Sequence, residues 1–376
     1  MVRPTFAQID LAALKENYHA LRAFLATGLS GSSPELIAVV KANAYGHGLV
    51  PVARTLEECG ATMLACADIE EGIKIREAGV QLAILVFGAL SISDLKGVFE
   101  FDLIPTVSSP SAARALQAAA VSRGVQLGCH LKIDTGMNRF GFRHDNLQNM
   151  MPGVFGNSNL RFDAVYTHFA TAENPEGQLF KQQQVRFRAA VGELESLSAS
   201  NFRRHSANSA ALIADRRSWY EAVRPGLLLY GVWPPDAIVP KGFEIRPVMS
   251  LRSRIVAVKG MRVGETSGYG ARFVAGRPTR IAIVPAGYAD GLDLRSSDGG
   301  QVLVRGRRVP IVGSVCMDSI TIDVTELDVQ PGDEVVVIGS QEGDCIDANE
   351  VARRTGTVPH AVLCRMGSRI ERSYKE

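Results

Sequence analysis

The sequence lacks the features of a secreted, membrane-bound or nucleic-acid-binding protein. Its 376 residues carry 41 Lys and Arg against 39 Asp and Glu, a formal net charge of +2. Such a protein has no extended positive field with which to hold nucleic acid or an anionic membrane surface. No apolar stretch is long enough to cross a bilayer, and the first ten residues lack the apolar core of a secretion signal. We therefore expect a cytoplasmic protein that acts on a small molecule.

Cysteine is scarce, and its spacing argues against a disulfide framework or a zinc site. The six cysteines contain no Cys-x-x-Cys pair, and several lie in apolar, strand-like runs such as residues 63–67. This pattern is typical of reduced, buried thiols. We expect no metal site, and the sequence contains no internal repeat or low-complexity tract.

The first 230 residues contain short apolar runs that alternate with helical segments. Strands are predicted near residues 37–41, 62–67, 82–88, 103–107, 128–134, 162–169, 202–206 and 222–230. A helix is predicted from about residue 10 to 26, and residues 111–122 and 178–197 also have helix composition. Eight strands alternating with helices predict an α/β fold, namely a closed (β/α)8 barrel of the TIM type.

The texture changes after residue 231, where a proline-rich linker begins. Beyond it the pattern is strand, turn, strand, which predicts a mostly-β domain with strands at 249–259, 280–285, 301–304, 309–312, 319–324 and 334–338. We assign residues 11–235 to the barrel and 236–376 to the second domain, and expect residues 1–10 to form a strand that packs with the latter. The basic run 305–308 is interpreted as a solvated hairpin tip.

Lys41 stands where the first apolar run stops and small residues begin. Catalytic groups of such barrels come from the carboxyl ends of the strands, so this amine is a candidate nucleophile. Taken alone, the segment is also compatible with a lysine that ends a strand and reaches solvent.

A candidate phosphate site follows the last two barrel strands. Asn208 and Ser209 come after the seventh strand, and Gly226 and Leu227 lie on the eighth. Barrels commonly hold a phosphate in the loops after these strands, where a glycine lets backbone N–H groups approach closely. Ser209 could instead only cap a short helix. A strand-end lysine facing a phosphate cradle implies a cofactor with both an aldehyde and a phosphate, for which pyridoxal phosphate is the candidate.

Further polar residues are expected at the same end of the barrel. Lys132 and Asp134 share one side of the fifth strand by alternation, and Arg139 follows them. His168 ends the sixth strand and Arg224 lies on the eighth. Any single one could be structural, but together they indicate an active site.

Taken in order, the motifs of this chain resemble those of the alanine racemases. The matching segments are residues 39–48, 132–141, 166–170, 205–210, 224–226, 268–270, 287–291 and 315–318. The resemblance spans essentially the whole chain. It implies a pyridoxal-phosphate enzyme that interconverts L- and D-alanine, works as a homodimer with active sites shared between subunits, and supplies D-alanine for bacterial peptidoglycan.

The resemblance also implies roles for the catalytic residues. Lys41 would bind the cofactor covalently and act as the base on one face of the substrate. Tyr269 of the partner subunit would act on the other face, although in isolation it could be a turn aromatic packed on its own domain. Arg224 would face the pyridine nitrogen and, with His168, form the polar chain that makes the phenol a usable base.

The binding positions follow in the same way. Tyr45, with Ser209, Gly226, Leu227 and the neighbouring Asn208, would hold the phosphate.

The substrate carboxylate would contact Arg139 and the backbone N–H of Met317, with Tyr288 nearby. Lys132 matches a lysine that is often carbamylated in the family, where it orients the arginine.

One position departs from the family pattern. This chain has His360-Ala361 where the family usually has Tyr-Glu near the C-terminus. A histidine can still donate to a phosphate oxygen. The change leaves open a broader-specificity or serine racemase, beside two more distant readings: a barrel decarboxylase and a non-catalytic pyridoxal-phosphate carrier.

Overall fold

A computed structural model describes residues 3–27, 33–90, 95–198 and 200–376, and it confirms the predicted barrel. Eight parallel strands form it: Glu35–Val39, Met63–Cys66, Ala83–Val86, Ile104–Val107, Leu127–Asp134, Leu160–Tyr166, Arg203–His205 and Ala222–Val223. The last strand pairs with the first, Ala222 opposite Glu35, which closes the barrel. A two-residue strand, Phe142–Arg143, lies beside the fifth.

The eighth strand is much shorter than predicted. It ends at Val223, and Leu227–Tyr230 form a 3-10 helix. Pro225 has no N–H for a ladder, so the strand cannot continue through it. All four residues of the 3-10 helix are buried, and a fully buried apolar run has no periodicity that separates strand from helix.

Helices alternate with the strands. They span Leu11–Ala26, Leu49–Glu58, Ile69–Glu77, Leu95–Glu100, Pro110–Arg123, Leu147–Phe155, Gln178–Ser198 and Ser209–Ala214. Several begin at a side-chain cap, as where Asp10 accepts from Ala13 N at 2.8 Å and Ser109 accepts from Ala112 N at 3.2 Å. Among the described residues, no helix has the length and apolar character needed to span a bilayer.

The second domain is mostly β, as predicted. Its strands are Met249–Arg254, Ala257–Met261, Thr266–Ser267, Phe273–Val274, Thr279–Val284, Gln301–Val304, Arg307–Pro310, Ile320–Asp323, Glu334–Gln341, Asp344–Ile346 and Glu371–Lys375. The sequence analysis missed the last strand and two short helices, Ala348–Arg354 and Pro359–Cys364. The strand Phe6–Asp10 lies between Met249–Arg254 and Glu371–Lys375 in one sheet, while residues 1 and 2 of the expected N-terminal strand fall outside the described residues.

The basic hairpin tip is paired with acids. Arg305 contacts Asp333 at 2.9 Å, and Arg308 contacts Asp344 at 2.8 Å and Glu350 at 2.6 Å. The arginines of this hairpin therefore pair with acidic residues of their own domain.

All six cysteines are free thiols, but only two of them, Cys66 and Cys129, are fully buried as expected.

Candidate active site

One cavity of about 150 Å³ lies at the carboxyl ends of the barrel strands. The predicted residues that line it are Lys41, Tyr45, Lys132, Asp134, Arg139, His168, Asn208, Ser209, Arg224, Gly226, Leu227 and His360. It is also lined by residues that the sequence analysis did not single out, among them Phe87, Met137, Phe140, Tyr166, Thr167 and Glu173.

Lys41 lies just past the first strand, which ends at Val39 rather than at the lysine. The four residues after it, 42–45, all have φ between 52° and 54°. Left-handed backbone costs about 1 kcal/mol or more per residue with a side chain. The Asn43 side chain helps to hold this turn by accepting from Leu49 N at 2.8 Å. Burial, followed by the charges of Arg139 and Arg224, lowers the pKa of Lys41.

Ser209 faces Gly226 across the end of the barrel. Its Oγ accepts the Gly226 N–H at 2.9 Å, so its own hydroxyl proton can be donated elsewhere. The adjacent helix is capped by Asn208, which accepts from Ala211 N at 2.9 Å, so Ser209 is not the cap. A Cβ on Gly226 would lie 2.2 Å from the hydroxyl of Tyr45, so a side chain there would fill the space between them.

Arg224 is 3% exposed and is held by hydrogen bonds. It donates to Thr167 O at 2.7 Å and Ser206 O at 3.0 Å through Nη2, and to His205 Nδ1 at 2.8 Å through Nη1. Its Nε–H and one Nη1–H have no acceptor within the described chain. Burial lowers the pKa of Arg224 to about 10, so the guanidinium stays charged at neutral pH.

Arg224 is hydrogen-bonded to a chain of two histidines, His205 and His130. Because Arg224 can only donate, His205 accepts at Nδ1, and its Nε2–H donates to His130 Nδ1 at 3.0 Å. Burial lowers the pKa of His205 well below its usual range and that of His130 to about 4, so both rings are neutral near pH 7. Sequence reasoning missed His130, although it alternates with Lys132 on the same strand, and this period of two was the available signal.

Lys132 is buried among cations. Its Nζ lies 4.6 Å from the centre of the Tyr166 ring and has no hydrogen-bond or ion-pair partner among the described residues. Burial, then the charges of Arg224 and Arg139, lowers the pKa of Lys132 far below its usual range. Burial among arginines therefore favours the neutral form of this amine.

Asp134 organises the loop that carries Arg139. One carboxylate oxygen accepts three successive backbone N–H groups, from Gly136 at 2.9 Å, Met137 at 2.9 Å and Asn138 at 3.1 Å. The loop therefore leaves the strand in a fixed direction, which brings Arg139 to the cavity wall.

His168 contributes to the cavity as a neutral ring. Burial lowers its pKa well below the usual range, and the nearby charges of Lys132 and Arg224 act in the same direction. The positive field of the site therefore comes from its arginines rather than from this histidine.

Three predicted residues do not line the cavity of their own chain. Tyr269, Tyr288 and Met317 lie together on the second domain and are 79%, 42% and 56% exposed. The segment 314–317 connects them, since Ser314 Oγ donates to Tyr269 O at 2.8 Å and Tyr288 N donates to Cys316 O at 3.0 Å. We call Tyr269, Tyr288 and Met317 the surface cluster.

The cavity combines four basic side chains (Lys41, Lys132, Arg139, Arg224) with two acidic ones (Asp134, Glu173). An excess of basic groups beside a lysine of lowered pKa suits an anionic ligand with an electrophilic carbon. Fold and site thus define an α/β-barrel protein whose cavity holds a lysine of lowered pKa just past the first strand.

Comparison with known proteins shows which family within this class the chain belongs to. Residues 9–234 match the alanine racemase N-terminal domain and residues 248–374 the alanine racemase C-terminal domain. The chain is 40% identical to the alanine racemase of Halothermothrix orenii, over 100% of this chain and 98% of that protein.

Two solved structures are similar over nearly the whole chain. The alanine racemase of a D-cycloserine-producing Streptomyces lavendulae has a TM-score of 0.94 at 33% identity, covering 100% of this chain and 98% of that one. That of Bartonella henselae, with covalently bound pyridoxal phosphate, has a TM-score of 0.86 at 28% identity, with 99% of each chain covered. The chain belongs to the alanine racemase family and is an isomerase of the amino-acid racemase class.

Proposed function

We propose that this enzyme interconverts L- and D-alanine with pyridoxal phosphate by a two-base mechanism, with Lys41 on one face of the substrate and Tyr269 of the partner subunit on the other. The observation that carries the proposal is the division of the site. A lysine of lowered pKa lies inside the barrel, while the exposed tyrosine lies on the second domain.

The residues around the cavity fit the cofactor. Lys41 would bind its carbonyl carbon, and Ser209, the Leu227 N–H beside Gly226 and Tyr45 would hold its phosphate. A Cβ on Gly226 would lie 2.2 Å from the Tyr45 hydroxyl and so obstruct this contact. When bound, pyridoxal phosphate withdraws electrons from the α-carbon of an attached amino acid and so makes its proton removable.

Lys41 is suited to both tasks that the proposal gives it. An ordinary lysine, with a pKa near 10.4, is almost fully protonated at neutral pH and can neither attack a carbonyl nor accept a proton. Burial beside Arg139 and Arg224 lowers the pKa of Lys41. A larger fraction of neutral amine is then present to bind the cofactor and later to take the α-proton.

Arg224 would anchor the ring side of the cofactor. Its bonds to Thr167, Ser206 and His205 fix the guanidinium, and its remaining N–H groups can donate to a ring nitrogen. A guanidinium of pKa about 10 donates a hydrogen bond without giving up its proton. Proton transfer is thereby left to Lys41 and Tyr269.

The second base has to come from outside the cavity. Burial raises the pKa of Tyr166 to about 12 and also raises that of Tyr45, so a smaller fraction of the cavity's own phenols is ionised and able to accept a proton at neutral pH. Tyr269 is 79% exposed in its own chain, and in a partner's cavity it would lie beside the positive charges of Arg224 and Arg139. This reasoning supports a homodimer with shared sites.

Arg139 and the backbone N–H of Met317 would hold the substrate carboxylate. Lys132 would be carbamylated to orient Arg139. In that reaction the neutral amine attacks carbon dioxide, forms an N–C bond and releases a proton, which places an anion among cations.

The proposal is tested by incubating the holoenzyme with L-alanine in deuterated water and following chirality and deuterium together. We expect D-alanine to appear with solvent deuterium at its α-carbon. Exchange without inversion would refute the two-base assignment, and neither exchange nor inversion would indicate a cofactor carrier. Because His360 replaces a family tyrosine on the cavity wall, L-serine and larger amino acids belong in the same assay. Faster turnover of L-serine than L-alanine would favour a serine racemase.

A further inference from the structure

The turn that carries Tyr288 of the surface cluster is closed by one buried carboxylate, Asp290, whose exposed fraction is 0%. Arg3 grips it with both Nη atoms, each 2.6 Å from one oxygen, and Gly287 N donates to it at 2.9 Å. Arg369 approaches at 3.3 Å. Burial alone would raise the pKa of Asp290, but the hydrogen bonds from Arg3 and Gly287 outweigh burial and lower it.

The turn that Asp290 closes also holds the segment carrying Met317. Tyr288 N donates to Cys316 O at 3.0 Å, and Ala289 N donates to Met317 O at 2.9 Å. The contact leaves no room for adjustment, since a Cβ on Gly287 would lie 2.4 Å from Cys316 O. Any shift of the turn therefore moves the main chain at Met317.

Arg3 fastens both ends of this turn. Besides gripping Asp290, its Nη2 donates to Pro285 O at 3.0 Å, and Thr5 Oγ1 donates to the same carbonyl at 2.6 Å. Meanwhile the N–H of Met317 donates to no acceptor in the described parts of the chain, and its side chain is more than half exposed. One turn therefore contacts both Arg3 and the segment that carries this free N–H.

We propose that Arg3 and Asp290 are positioning residues that set the direction of the Met317 N–H toward the substrate carboxylate in the partner subunit's cavity. The inference rests on the proposed function. A carboxylate contact made throughout the reaction adds equally to binding of substrate and transition state, so weakening it raises KM and leaves kcat nearly unchanged.

The test compares Asp290→Asn and Arg3→Lys with the wild-type holoenzyme. Asparagine keeps an acceptor for Gly287 N but loses the charge, whereas lysine keeps the charge and loses the two-pronged grip. For both variants we expect KM for alanine to rise about ten-fold, with kcat within about two-fold. Acetate, used as a probe that has only the carboxylate, should inhibit about ten-fold more weakly, while the absorbance of the bound cofactor stays unchanged.

A matched control is Asp333→Asn in the same domain. Asp333 also pairs with an arginine, Arg305 at 2.9 Å, and accepts a backbone N–H, from Gln330 at 3.1 Å, but has no link to the surface cluster. It should leave KM and acetate inhibition unchanged whatever its effect on thermal stability.

If Asp290→Asn fails to fold, Arg3→Lys decides the matter. The inference is overturned if the folded variants keep wild-type KM and acetate inhibition, or if kcat falls alone. It is the proposed function that fails, and not this inference alone, if the wild-type holoenzyme does not racemise alanine.

Discussion

The barrel cavity and the surface cluster differ in how far their side chains are buried. In the cavity, Arg224 is 3% exposed and its side chain is fixed by hydrogen bonds, and burial sets the protonation of Lys41. In the surface cluster the main chain is fixed, while the Tyr269 side chain is 79% exposed. Burial disfavours the charged form of a group, so it leaves more of an amine neutral and less of a phenol ionised. The two regions therefore offer a lysine and a tyrosine in opposite environments, which is what the proposed two-base reaction requires.

The largest effect is expected from removing the amine on the cavity side. Lys41→Ala should lower racemisation by about 10⁴-fold, because nucleophile and base are lost together. The absorbance of covalently held cofactor should disappear, and added methylamine should restore part of the activity. Lys132→Met is the matched control that leaves this absorbance in place. Wild-type turnover by Lys41→Ala would contradict the assignment.

The phenol on the cluster side comes next. Tyr269→Phe should lower racemisation by about 10³-fold with cofactor binding unchanged. Mixing Tyr269→Phe with Lys41→Ala subunits tests whether sites are shared. Random exchange makes half of the dimers mixed, each with one intact site, so about a quarter of wild-type activity should return.

The control for that mixture pairs Lys41→Ala with Arg224→Ala, which damage the same region. Every site of their mixed dimers carries a defect, so nothing should return. Failure of the first mixture to recover activity, with subunit exchange verified by mass, would show that each chain uses its own tyrosine.

Lowering the pH should destabilise the barrel before it destabilises the turn that contains Asp290. Burial lowers the pKa of His47 and of His130 from 6.5 to about 4. Between pH 6.5 and 4 these histidines are protonated in the unfolded chain but remain neutral in the folded barrel. The free energy of unfolding therefore falls as pH drops from 6.5 to 4, by up to about 3 kcal/mol per histidine. The Asp290 pKa is lowered instead, so its contribution is lost only below about pH 4.

Hydrogen exchange at pH 7 and pH 4.5 would measure this difference, and barrel amides should lose protection first. His130→Gln keeps an acceptor for His205 and removes one titration, so the pH slope of barrel stability should become shallower. An unchanged slope would mean that His130 is protonated in the folded protein.

Lys132 should have a smaller effect. Lys132→Met should raise KM for alanine about ten-fold by releasing Arg139. Labelled bicarbonate should give a ¹³C carbamate signal that is absent from the variant. Wild-type protein without the signal would show that Lys132 is an unmodified amine.

The smallest effect is expected from His360. His360→Tyr, which introduces the residue expected from the family resemblance, should shift the ratio of L-serine to L-alanine turnover by a few-fold, about what one contact in a pocket contributes. Ala361→Glu is a neighbouring control. An unchanged ratio would remove His360 from specificity.

The sequence predicts the barrel strands well, because both faces of each strand are buried. The barrel strands read as apolar runs because helices cover one face and the core the other, so their order was predictable. The hydrogen-bonded chain Arg224–His205–His130 was harder to predict, since its members come from distant parts of the sequence and meet only in the folded barrel; for His130 the one signal was its alternation with Lys132. The missed helix Ala348–Arg354 did carry a signal: Asp347 accepts from Glu350 N at 2.7 Å, the Asp-x-x-Glu pattern that starts helices.

The position of the strand Phe6–Asp10 has a consequence for synthesis. It is flanked by Met249–Arg254 on one side and by Glu371–Lys375 on the other. This sheet therefore cannot be completed before residues 371–375 have been synthesised. The cavity also needs a late segment, since His360 lines it, so neither region is complete until residues 360–375 have left the ribosome.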